Sequence, residues 1–176
     1  MPSVGTAIHM TALDGIVTVN SLFTLAVFIG LSSDPRDPSN TLIEQEDSAY
    51  CTPGPSVVED LVAFHVYSFS SFLFSSLVAL ALKQGIRLTR TPSYHPAEIL
   101  ARVNSTLLRA GMLVSAVGSV SGCVFLMLAL VNVVQIKLGT PACGSYHTLA
   151  AVVPLVIFVP VGLVIYVVTV LYAFTR

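Results

Sequence analysis

The chain has 176 residues, of which 55% are hydrophobic and only 10% charged, and its mean hydropathy is +0.86. That is the composition of a membrane protein. Four long apolar runs take up most of the length and leave no room for a separate soluble domain. The formal net charge of −1 gives no basic surface on which to expect nucleic acid as a partner. The expected class is an all-α membrane protein, a single four-helix transmembrane domain over 1–176.

The first span is expected at about 11–31, TALDGIVTVNSLFTLAVFIGL. About 20 residues rising 1.5 Å each cover the ~30 Å hydrocarbon core. No Lys or Arg precedes it, so it is expected to be retained rather than cleaved as a signal peptide. Its polar residues are not scattered. At about 100° per residue, Thr11, Asp14, Thr18 and Ser21 share a stripe roughly 80° wide, which Asn20 and Thr24 widen to about half the circumference. Polar side chains at bilayer depth normally face protein or a watery cavity. Thr11-Ala-Leu-Asp14 also has the form of a capping box. Asp14 therefore has three readings: helix cap, ion-pair partner of Arg109 in the third span, or lining of an ion path.

The loop at 32–56 is rich in Pro, Ser and acids, a composition of turns. The second span, about 57–82, opens on Ser56-Val-Val-Glu59, again a capping-box pattern. Lys83-Gln84-Gly85 then supplies a cation and a glycine suited to a helix end. His65, Ser68, Phe72 and Ser75 share one face, which reads first as helix packing and second as a water-lined surface. The link at 83–105 carries Lys83, Arg87, Arg90 and Arg102, and Pro96 suits the first turn of a helix that leads into the third span. That span, about 106–136, contains Gly111, Ser115, Gly118, Ser119 and Gly122. Within it GSVSG is a GxxxG, the signature of close backbone approach. The outer loop at 137–147 precedes the last span, about 148–174. This is apolar nearly all round, should bend at Pro154 and Pro160, and is expected to be the most lipid-facing of the four.

Charge sets the orientation. Six of the eight Lys and Arg (Lys83, Arg87, Arg90, Arg102, Arg109, Arg176) fall on one side, which the positive-inside rule makes cytosolic together with both termini. Seven of the nine acids lie on the other side. Among them Glu59 has a plain role as a cap, whereas Asp60 joins an acidic outer mouth of a sign that gathers cations. The bland alternative is a solvated acidic loop. Cys51 and Cys143 fall one in each outer loop, where an oxidising lumen favours a disulfide. Closing so long a loop would stabilise by about 4–5 kcal/mol in the chain-entropy model. No CxxC, HxxxH or phosphate loop is present, so no metal site, cofactor or enzymatic activity is expected.

The LDGIVTVNSLFTLAVFIGL stretch, the four-span hydropathy and the acidic outer loop together resemble the WeiTsing-like family of small plant four-span membrane proteins. That group includes the clubroot-resistance type and the maternal-effect embryo-arrest type. The likeness covers the whole chain in layout and is specific in the first span. It implies a calcium-permeable cation channel of the endoplasmic reticulum, a ring-shaped homo-oligomer built as a pentamer, with a role in plant immunity. The plasma membrane is the second choice of compartment. Read from the polar stripe and the acidic loop rather than from the resemblance, Asp14, Thr18, Asn20, Ser21 and Thr24 are expected to line the ion path and Glu59 and Asp60 to form the lumenal mouth, where Ca²⁺ would meet the oxygen ligands it prefers. The rival is a four-span scaffold that organises partner proteins in the lipid and conducts nothing.

Asn104-Ser105-Thr106 is an N-x-T glycosylation sequon on the side assigned to the cytosol. It is expected to stay unmodified in cells. A glycan on Asn104, found by mass spectrometry, would reverse the orientation.

Overall fold

In the computed structural model the described residues are 4–32, 54–88, 105–139 and 146–175. They form four helices, α1 Val4–Ser32, α2 Pro55–Leu88, α3 Ser105–Leu138 and α4 Tyr146–Thr175, and no strand occurs among the described residues. All four are long and apolar enough to cross a membrane, as an integral membrane protein requires. Helices of 29 to 34 residues are about 44–51 Å long, so their ends outreach a ~30 Å hydrocarbon core.

The helices overrun the expected spans, for local reasons. α1 starts at Val4, because nothing after Pro2 breaks the helix before Thr11. Thr11 is therefore a helix-interior residue, and the Thr11–Asp14 pattern does not begin the helix. α2 starts at Pro55, with the Val57 N–H donating to the Gly54 carbonyl at 3.1 Å. Proline at the first helical position needs no N–H partner, so Ser56 lies inside the helix rather than capping it. At its other end α2 runs through Gly85 to Leu88. Ile86 is buried there with Leu13, Ile16, Ala79 and Met112, which outweighs the roughly 1 kcal/mol that a helical glycine costs. α3 does stop at a glycine: Gly139 has a φ of 87°, the left-handed conformation that ends helices. Thr148, from the first turn of α4, donates its hydroxyl to the Leu138 and Gly139 carbonyls at 3.1 and 3.2 Å. That contact closes the α3–α4 hairpin. α4 continues as one helix through Pro154 and Pro160.

Chain neighbours are spatial neighbours. α2 packs along α3, α1 along α2 and more slightly on α3, and α4 along α3. Asp14 meets Lys83 near one end of the α1–α2 pair, and Gly30 abuts His65 near the other, so the two helices are antiparallel. Leu82 against Gly111, with Phe72 against Gly122, gives α2 and α3 the same relation. Three apolar layers follow along the bundle. The first is Leu13, Ile16, Ala79, Ile86 and Met112; the second Val27, Phe72, Cys123 and Leu126; the third Leu61, Ala129 and Ile136. α4 contributes mainly from outside, through Tyr166 and Leu163. Most of its length is exposed, including Phe158, Val164 and Ile165, as a lipid-facing helix should be.

The small residues of α3 are the seam against α2. A Cβ on Gly111 would come within 2.8 Å of Leu82, and one on Gly122 within 2.7 Å of the Phe72 ring. Ser68 uses the same closeness to donate to the Gly122 carbonyl at 2.9 Å. Lipid tails are as apolar as leucine, so such contact, rather than expulsion of water, holds membrane helices together.

Phe72 cannot readily retreat, because it is fully buried and stacked on Phe23 with ring centroids 5.4 Å apart. Gly122→Ala should therefore destabilise by about 1–3 kcal/mol through overpacking, read as a lower unfolding midpoint in detergent. Phe72→Leu should recover part of the loss in the double variant. An unshifted midpoint for Gly122→Ala would contradict this seam.

Candidate functional site

The polar half of α1 is divided between two environments. Among the side chains of α1 that the structure describes, Leu13, Ile16, Asn20 and Val27 are buried, a spacing of three, four and seven that follows one helix face. Asn20 lies at the centre of that face. Thr11, Asp14, Thr18 and Ser21 are exposed on the far side, and Thr24 is half-buried between. Asn20 is thus withdrawn from the row it was expected to share with Thr18 and Ser21, and it lies within the chain's own bundle. Nearly half a turn of helix separates the two.

Around Asn20 the bundle builds a closed hydrogen-bond network. Its amide nitrogen donates to the Ser75 hydroxyl of α2 at 2.8 Å, and its amide oxygen accepts from the Ser119 hydroxyl of α3 at 2.7 Å. Ser75 in turn donates to the Ser115 carbonyl at 2.6 Å, while the Ser115 hydroxyl donates back to the Ser75 carbonyl at 2.8 Å. All four residues are buried, between the first and second apolar layers. An amide in such surroundings costs several kcal/mol if left unpaired, so each partner matters. Ser75 belongs to the His65–Ser68–Phe72–Ser75 face read from sequence, and all four members of that face are buried. Its packing role is therefore shown. His65 follows suit, with Nδ1 2.8 Å from the Leu61 carbonyl.

The exposed row has different chemistry. Thr18 and Ser21 donate to the carbonyls four residues back, of Asp14 at 2.8 Å and Val17 at 2.7 Å. Their protons are committed to their own helix, and the oxygen lone pairs remain outward. Asp14 forms an ion pair with Lys83 of α2, not with Arg109. The reason is topological: α1 lies mainly on α2 and touches α3 only slightly, and the half-buried Lys83 stem brings its ammonium to the edge of α1. Arg109 is exposed on α3. From sequence, Lys83 reads only as a last-turn cation, since nothing in its spacing names a partner 69 residues away. Beyond Ser21 the exposed row turns apolar, with Leu25 and Phe28.

Glu59 and Asp60 are both exposed near the start of α2, at the end of the bundle opposite the Asp14–Lys83 pair. Cys51 and Cys143 lie outside the described residues, and with them the expected disulfide. Cys123 is free and buried. Among the described residues no group of three or more His, Cys, Asp or Glu could hold a metal ion.

The network makes a stability prediction. Asn20→Ala should lower the unfolding midpoint, and a double-mutant cycle of Asn20→Ala with Ser119→Ala should show a coupling of about 0.5–2 kcal/mol. Additive effects, with no coupling, would separate the two side chains.

Compared with protein-family models, with characterised proteins and with solved structures, the chain finds no match in any of the three. Its function is therefore argued from its own geometry.

Proposed function

We propose that this protein is the subunit of a cation-permeable channel, a ring of copies in which the exposed row of α1 faces the central axis. One observation carries the reading: Thr11, Asp14, Thr18 and Ser21 are polar, lie at or near bilayer depth, and are left uncovered by the other three helices. Among the described residues a single chain offers no path of its own, because the interior of the bundle is filled by three apolar layers and the Asn20 network. Only a ring could give the exposed row a common, water-filled space. The resemblance to small plant four-span channels supports a pentamer in the endoplasmic reticulum, with Ca²⁺ among the permeant ions.

The chemistry of the row suits cations. Hydroxyls that donate backwards present acceptor oxygens to the lumen, and hard cations bind oxygen. Lys83 offsets the charge of Asp14, so the net negative charge near the ring falls to Glu59 and Asp60 at the mouth. Leu25 and Phe28 continue the row toward that mouth as an apolar ring, and such rings close pores by dewetting.

A non-conducting scaffold is the second reading, and one observation favours it. The back-bonded hydroxyls of Thr18 and Ser21 are cheap to expose to lipid, so the row does not demand water.

Purified protein in planar bilayers decides between the two. Steady cation current is expected from the wild type, and the Thr18→Leu/Ser21→Leu variant should fall to background while keeping its oligomeric size. Asp60→Asn should reduce current most at low salt, where screening is weakest. A silent wild type of correct oligomeric size, or a double variant that conducts normally, would remove α1 from the pore.

A further inference from the structure

The charges of the bundle are sorted by end. Among the described residues Asp14, Lys83, Arg87 and Arg109 lie at one end, and Glu59, Asp60 and Lys137 at the other. Lys83 is committed to Asp14. Arg87 and Arg109 are both exposed, and neither meets a carboxylate among the described residues. Ile86 is buried in the first apolar layer and Leu108 packs against that layer. The two arginines, each next in sequence, therefore leave the bundle at one level on adjacent helices. A last-turn cation suits the dipole of α2, which accounts for Arg87. α3 runs the other way, so its dipole offers Arg109 nothing.

Depth says what these cations meet. The uncharged stretches, 61–82 in α2 and 110–136 in α3, are about 33 and 40 Å long and fill the ~30 Å hydrocarbon core. Both arginines thus fall in the headgroup layer. Leu80, two turns deeper on the stripe of Arg87, and Leu113, one turn deeper on that of Arg109, are exposed to acyl chains. An arginine stem can lie along such apolar surface while its head stays in the polar layer. There the guanidinium fork matches two oxygens of a phosphate.

We propose that this end of the bundle binds the phosphate of anionic phospholipids, with Arg87 and Arg109 as the protein's ligands. On the orientation expected from the charges the lipids are those of the cytosolic leaflet, which carries the anionic headgroups. Glu59 and Asp60 repel the same headgroups at the far end, so the preference is confined to one leaflet. The site is independent of whether the protein conducts.

Native mass spectrometry of the full chain tests this, with phosphatidic acid and phosphatidylcholine of identical acyl chains supplied in equal amounts. The wild type should retain phosphatidic acid in preference by on the order of tenfold or more, since each juxtamembrane cation contributes about fivefold. Arg87→Gln and Arg109→Gln should each lower the ratio by about fivefold, and the double variant should bring it close to one. Both residues are exposed, so the unfolding midpoints in detergent should match the wild type. Lys137→Gln, at the other end, should leave the ratio unchanged. An excess of glycerol 3-phosphate should not displace the lipid, because it has the phosphate without the chains. A wild-type ratio near one would overturn the proposal. So would a double variant that keeps the wild-type ratio, a Lys137→Gln variant that loses as much as either arginine variant, or displacement by glycerol 3-phosphate.

Discussion

A carboxamide at the centre of an apolar bundle has to be satisfied, and in this protein that requirement fixes the register of three helices. Asn20 reaches Ser75 on one side and Ser119 on the other. Sliding α1 by a single turn, about 5.4 Å, would lose both bonds at once. In water a slipped amide could be rescued by solvent, but in hydrocarbon it could not. The bonds need not be strong to be selective. Interhelical hydrogen bonds in membranes are worth only about 0.6–2 kcal/mol each, yet the alternative registers bear the desolvation of an unpaired amide.

That constraint also determines what α1 presents outward. With Asn20 at the centre of the buried face, Thr18 and Ser21 must point away from the bundle, and Asp14 reaches only the edge of α2. The outward row is thus a geometric consequence of the inward network. Its polar part ends at Ser21, and Leu25 and Phe28 continue it. The two halves of α1 therefore meet different needs at different depths, which a uniform lipid-facing helix would not show.

The four spans, the GxxxG seam and the packing face of α2 were legible in the sequence, because each is a repeated signal spread over several turns. The interior position of Asn20 was harder to read. Polar residues occupy both sides of α1, and a wheel that groups by polarity draws them into one half. The spacing of Leu13, Ile16, Asn20 and Val27 carried the better signal, an amide at a core position of a heptad-like face. The Asp14–Lys83 pair was not legible in the same way, since it depends on which helix lies beside α1. Helix ends failed for a related reason: local glycine and capping patterns at Gly85 and Ser56 yielded to the burial of Ile86 and to Pro55.

The unevenness of the packing bears on how such a bundle could move. α2 and α3 meet along a seam of small residues where Gly122 has no room for a methyl group against Phe72, and the Asn20 network locks α1 onto both. α4 has no such glycine seam among the described residues. It is held by the Thr148 bonds to the end of α3 and by side chains such as Tyr166 and Leu163, and a crevice remains open beside it. Membrane helices with little close backbone contact have less to distinguish their neighbours from lipid. α4 is consequently the helix held least firmly along its length, and the crevice beside it is the surface that a shift of it would open or close. A change at α4 would reach α1 through Val19 and Phe23, which share that surface, while the α2–α3 seam stayed intact.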